Sequence, residues 1–144
     1  MLKMERAEAF ELWLKQLRDP ESKKAQGELE YLNEPEARCC LGHACHVFIS
    51  DTRQILFNEV CYGTSLGSIS SSDLPFEVMD VLKIGPNGEF KEPMKVINTE
   101  GELIRITTLA CLNDKTDYSL AEIADVIEDK FHSDGFDQVW FKDE

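Results

Sequence analysis

Eleven consecutive residues, Cys39-Cys40-Leu41-Gly42-His43-Ala44-Cys45-His46-Val47-Phe48-Ile49, form the most apolar stretch of the chain. Cys40, Leu41, Ala44, Cys45, Val47 and Phe48 fit one turn after another of a buried helix. The length also permits a strand, and Gly42 weakens the helix. Everything outside this stretch is more polar and more clearly periodic.

On its N-terminal side, Ala7 to Arg18 reads as an amphipathic helix. Phe10, Trp13, Leu14 and Leu17 fall at i, i+3, i+4 and i+7, on one face. Asp19-Pro20 ends it, because the residue before proline avoids helical backbone. Gly27 to Leu32 alternates well enough to predict a short strand. On the C-terminal side, Arg53 to Phe57 predicts a strand, and Cys61 to Ser72, rich in Gly and Ser, predicts a loop. Phe76, Val78, Met79, Val81 and Leu82 predict a short helix capped by Asp73 and stopped at Gly85. Pro86-Asn87-Gly88 carries a hairpin signal. Glu92–Ile97 and Glu102–Ile106 predict paired strands, and Thr107–Leu112 reads equally as strand or helix. Ser119 and Glu122 make a capping box. Leu120, Ile123, Ala124, Ile127 and Phe131 then line one face of a helix to about His132. The expected architecture is α+β: a single compact domain over residues 1–144, with three or four helices and a small antiparallel sheet.

Size and charge limit the function classes. A chain of 144 residues can bury about 70% of its unfolded surface without disulfide or metal. No apolar run approaches the length of a membrane-spanning helix, and Met1 to Phe10 lacks a secretory apolar segment. Twenty-eight acids against fifteen Lys and Arg leave a net charge of −13. Such a charge disfavours a grip on nucleic-acid phosphates or anionic membranes. The last 32 residues alone hold ten acids and three bases. Five cysteines, an odd number in apolar surroundings, predict reduced, mostly buried thiols in a cytosol rather than a disulfide framework.

Few residues suggest chemistry. On a helix, Cys39, His43 and His46 fall at i, i+4 and i+7, so these three residue types can share a metal-facing side. A structural zinc site draws two ligand pairs from separate segments, and the chain offers no second pair. No metal or cofactor is therefore expected. Cys39 or Cys40 near a helix start, with His43, His46 or His132 as base, is the only arrangement resembling a nucleophilic thiol. Gly63-Thr64-Ser65-Leu66-Gly67 lacks the lysine and the frame of a phosphate loop. Asn113-Asp114 reads as a turn or a polar pair. Trp13 reads as core, whereas Trp140-Phe141 among acids reads as packing or as an exposed anchor.

Several short motifs in order carry a resemblance. They are Trp13 with Leu17, Gln26-Gly27-Glu28-Leu29, Cys39-Cys40-Leu41-Gly42 with Cys45 and Val47, Leu74-Pro75-Phe76-Glu77-Val78, Leu112-Asn113-Asp114 and Ile123-Ala124-Asp125-Val126-Ile127-Glu128. Together they resemble a family of small uncharacterised bacteriophage and prophage proteins with a Cys-Cys-Leu-Gly-x-x-Cys motif. The resemblance implies a phage or prophage origin and a host-cytoplasmic location, and it implies no activity. His43 and His46 stand outside the shared pattern.

The leading expectation is a non-enzymatic phage-type accessory factor that binds a host or phage protein, with host defence as one target. Glu122, Asp125 and Asp129 on the last helix, with Trp140 and Phe141, are the expected protein-interaction residues. Two alternatives belong to other classes. One is a small-ligand binder or Cys/His-dependent enzyme centred on Cys39–His46, which predicts a pocket with a polar floor there. The other is a nucleic-acid mimic, which requires acids along one elongated face.

Overall fold

Helix α1, Arg6–Arg18, forms where the apolar stripe predicts it. Phe10, Trp13, Leu14 and Leu17 are all buried, with Glu8 in the first turn and Lys15 and Arg18 in the last, matching the helix dipole. A computed structural model describes residues 4–64 and 69–132. Helix α2, Cys40–Ile49, settles the ambiguity of the apolar stretch in favour of a helix. It is buried on nearly every side, which is why its sequence shows no polar face. The Cys39 thiol caps it, accepting from the Gly42 N–H at 3.3 Å. The Trp13 indole donates to the Cys40 carbonyl at 2.9 Å and pins α1 across the start of α2.

Gly42 is what allows the chain before α2 to lie against it. A Cβ built on Gly42 would overlap the Leu29 carbonyl oxygen and sit 2.7 Å from its carbon. Residues 27–32 therefore run along α2 as an irregular segment instead of the expected strand. Their backbone bonds go to several places: Leu29 N–H to Ser71 O, Cys39 N–H to Leu29 O, and Tyr31 N–H to Ala37 O. Only Glu30 makes a bridge, to Arg38. This contact carries a prediction whose sign runs against local propensity. In an ordinary helix Gly→Ala stabilises by up to about 1 kcal/mol. Here Gly42→Ala is expected to destabilise by about 1–3 kcal/mol, because the methyl displaces a backbone carbonyl; urea denaturation of the two proteins reads the sign.

Among the described residues the remaining elements are three two-stranded pairs, three further α-helices and a 3-10 turn at Ser50–Thr52 that continues α2. Strands β1 (Lys23–Lys24) and β2 (Ala37–Arg38) pair in parallel. Strands β3 (Gln54–Leu56) and β4 (Glu59–Cys61) form a tight antiparallel hairpin. Helix α3 spans Phe76–Leu82. Pro75, not Asp73, is its N-cap, and Lys83 at φ 59°, before Gly85 is reached, ends it. The Asn87-Gly88 turn then leads α3 into β5 rather than joining two strands. Strands β5 (Glu89–Ile97) and β6 (Leu103–Thr108) form the predicted hairpin. The Asn98 side chain closes its turn by accepting from the N–H groups of Glu100 and Glu102. Residues 107–112 serve as both strand and helix: β6 ends at Thr108, whose hydroxyl caps α4, Leu109–Lys115, by accepting from Cys111 N–H at 3.1 Å.

Helix α5, Leu120–His132, begins at the predicted capping box. Ser119 N–H donates to the Glu122 carboxylate at 2.8 Å, and Glu122 N–H donates to the Ser119 hydroxyl at 3.1 Å. Its five stripe residues, Leu120 to Phe131, are all buried. The α+β class stands, with five α-helices among the described residues in place of three or four; α4 is the addition. The core lies among the five α-helices, with Phe90, Val96 and Ile106 of the β5–β6 hairpin joining it beside α4. Phe10 stacks near Trp13 and Phe131, each at 5.8 Å, and Phe90 of β5 meets Phe131 edge-on at 6.3 Å.

Candidate functional site

Several of the short motifs scattered through the sequence, those at Trp13, Gln26–Leu29, Cys39–Gly42 and Asn113–Asp114, meet at the start of α2. Asn113, on α4 and fully buried, is the centre of the cluster. Its side-chain oxygen accepts from the Cys40 N–H at 3.0 Å, one of the donors that a helix N-terminus leaves unpaired. Its amide nitrogen donates to the Ala25 carbonyl at 2.8 Å and to the Asp114 carboxylate at 2.9 Å. Asp114 in turn accepts from the Gly27 N–H at 2.9 Å. The pair is thus a buried tie between α4, α2 and residues 25–27, rather than a turn.

The cysteines of the window point into apolar packing. Cys39, Cys40 and Cys45 are all buried core members. Burial pushes the Cys39 thiol up to about 12 and raises Cys40 and Cys45 well above their ordinary range. Thiols held this firmly protonated are poor nucleophiles and poor metal ligands. His43 is fully buried as well. Its Nε2–H donates to the Lys23 carbonyl at 2.8 Å, and its Nδ1 accepts from the Gln16 amide at 3.1 Å. Both ring nitrogens are therefore occupied by the fold. His43 joins α1, α2 and β1 as a neutral imidazole. Among the described residues no three His, Cys, Asp or Glu side chains are arranged to hold a metal ion.

His46 is half-buried. It lines a polar cleft of about 340 Å³ with Gln16, Asp19, Glu21, Ser22, Glu36, Arg38 and His43. Burial, followed by the nearby positive charge of Arg38, lowers its pKa. A pocket with polar walls thus exists beside Cys39–His46, as the ligand-binding alternative requires. It contains none of the three thiols, so it offers no Cys–His pair.

The burial of His43 makes stability depend on pH. Burial holds its pKa at about 4, against 6.5 for the free side chain. The unfolded chain therefore binds the proton first. The stabilisation is complete above pH 6.5 and is lost as the pH falls from 6.5 towards 4. Between pH 7.5 and 5 the expected loss is about 2 kcal/mol. Equilibrium denaturation across that range checks it: His43→Gln, less stable at pH 7.5, should lose much less of its stability by pH 5 than the parent.

A second buried cluster is invisible in the sequence pattern. The Glu30 carboxylate is fully buried. It accepts from Arg38 Nε at 2.9 Å, Arg53 Nε at 2.8 Å and the Tyr62 hydroxyl at 2.6 Å. Burial alone would raise the Glu30 pKa, but the bonds from Tyr62 and Arg53 and the charge of Arg38 outweigh it and lower it. Burial and the bond to Glu30 push Tyr62 up to about 12. Period-two alternation places Glu30 with Glu28 on a polar face, and no local signal distinguishes the buried carboxylate from the outer one.

The expected interaction residues fare differently from one another. Glu122 is spent on the capping box. Asp125, with Glu128, accepts from the Arg18 guanidinium, each at 2.8 Å. These exposed pairs tie α5 to α1 and contribute little to stability. Asp129 is exposed and in no ion pair among the described residues. Trp140 and Phe141 lie outside the described residues. Large apolar side chains stand exposed on the expected strands, Ile55 and Leu56 on β3 and Ile97 opposite Leu103 on β5–β6, while Phe57, expected as the end of the strand, lies exposed in the turn after it.

No family model matches the chain, and neither curated proteins nor solved structures show a significant similarity to it. Among the described residues no helix is long and apolar enough to cross a membrane.

Proposed function

We propose that this chain is a non-enzymatic protein-interaction factor, a phage-type accessory protein that binds a host or phage protein in the cytoplasm of a bacterial host. The observation that carries the reading is the outward display of large apolar side chains. Phe57 is 97% exposed, and Ile97 and Leu103 are 57% and 65% exposed. A chain that buries thirty-three hydrophobic residues among those described while leaving these in water has surface suited to a partner. The Cys–His window is taken up in core packing and in the ties of His43, which leaves it no nucleophile and free base together. The family resemblance supplies the phage setting.

Native mass spectrometry of the full chain as isolated from bacterial cells tests this reading, with the denatured mass alongside. A co-purifying protein is expected, and it should be lost in Ile97→Ser/Leu103→Ser or Phe57→Ser variants that melt within a few degrees of the parent. A small-molecule mass that departs on denaturation, with no protein bound, would overturn the reading in favour of a ligand in the His46 cleft.

A further inference from the structure

The β3–β4 hairpin packs through Val60 and Cys61 of β4 and presents its other side and its tip. Its register pairs Leu56 with Glu59, which leaves Phe57 and Asn58 as a two-residue loop. Their φ angles are 52° and 64°, the left-handed pattern of a type I′ turn. Asn tolerates that backbone, whereas a bulky aromatic residue there is sterically disfavoured. A turn that only reversed the chain would be better served by glycine. Instead, Phe57 stands at the tip with Ile55 and Leu56 exposed beside it.

The surroundings of the tip are acidic. A cleft of about 410 Å³ next to it is lined by Glu28, Tyr31, Leu32, Asn33, Glu34 and Asn58. Glu59 lies in the hairpin itself. Among the described residues Glu28, Glu34 and Glu59 enter no ion pair, and the base on β3's approach, Arg53, is held by Glu30. An apolar anchor flanked by three carboxylates that enter no ion pair among the described residues, one of them (Glu59) accepting from the Ser71 hydroxyl at 3.1 Å, on a chain of net charge −13, complements a pocket of opposite character. Resting on the interaction reading above, we propose that Phe57 is the anchor of the docking surface and enters an apolar pocket rimmed by Lys and Arg on the partner protein. The acids steer the encounter and the aromatic ring secures it.

The test places p-benzoylphenylalanine at position 57 of the full chain in bacterial cells, and at Ile97 and Asp125 in separate proteins, followed by irradiation and mapping of the linked peptides. The expected result is an adduct from position 57 to another protein, at a surface where basic residues surround an apolar pocket. Combined Glu28→Lys, Glu34→Lys and Glu59→Lys substitutions should cut its yield about tenfold or more. Adducts from positions 97 or 125 with none from 57 would overturn the anchor and leave the interaction reading standing. So would a position-57 adduct to a second copy of this chain, to a surface without bases, or one indifferent to the charge reversals. No adduct from any position would overturn both. Independently of any partner, Phe57→Gly should raise the melting temperature by relieving the turn; a lower one would show that Phe57 packs and would overturn the proposal.

Discussion

Asn113→Ala is expected to destabilise the chain by about 3–5 kcal/mol, although it removes only a small side chain from a seven-residue helix. The substitution leaves the Cys40 N–H and the Ala25 carbonyl without their partners, at 3.0 and 2.8 Å in the native fold. Each is backbone at a buried residue. A buried polar group that loses its partner costs about 1–3 kcal/mol, and the void adds to the sum. Asn113→Asp separates this account from simple loss of volume. Aspartate keeps the acceptor for Cys40 but sets a charged oxygen against the Ala25 carbonyl and the Asp114 carboxylate. It should therefore be severely destabilised at pH 7.5 and recover part of the deficit as the pH falls and the new carboxyl is protonated. Urea denaturation of the three proteins at pH 7.5 and 5.5 checks both statements. An Asn113→Ala loss below 1 kcal/mol would show that water or a backbone shift replaces the amide.

Glu30→Ala is expected to cost a similar amount, about 3–5 kcal/mol, for an electrostatic reason. Removing one member of a buried ion pair leaves the other charge desolvated and unpaired. Arg38 is the residue left in that position, with its side chain 9% exposed. Arg53, at 35%, can turn to water. The expected order of loss is therefore Glu30→Ala, then Arg38→Ala, then Arg53→Ala. Tyr62→Phe should lose about 1 kcal/mol with its single hydrogen bond. The same depressed carboxyl adds an acid limb to the stability curve. Its contribution is present above the ordinary carboxylate range and is lost as the pH falls below about 4.5. That limb lies under the His43 window, so Glu30→Gln should flatten the most acidic part of the curve and leave the pH 7.5 to 5 slope unchanged.

These two residues show which kind of information the sequence carries. Periodic stripes were legible, and they returned α1, α5 and the β5–β6 hairpin close to their observed bounds, because each depends on spacing within a dozen neighbours. The capping box at Ser119–Glu122 was legible for the same reason. The Gly27–Leu32 strand failed because alternation there has a different origin. Leu29 is fixed by contact with Gly42, and Glu30 alternates inward to meet two arginines from later in the chain. The composition of the His46 cleft was not legible, since its walls come from Gln16 to Ser22, Glu36 and Arg38, which only folding brings beside α2.

By itself, the sequence determined the α+β class, the net charge of −13 and the positions of the strongest helices. Only the tertiary structure decided that residues 40–49 are a helix, that the Cys39–Cys45 thiols sit in the core, that Asn113 ties three segments together, that Glu30 is buried and that Phe57 is displayed. The physical reason is one of range. Local backbone preference and apolar periodicity are properties of neighbouring residues. The desolvation of a polar group, and the exposure of an apolar one, are set by partners that folding brings from far along the chain, 88 residues away in the case of Ala25 and Asn113.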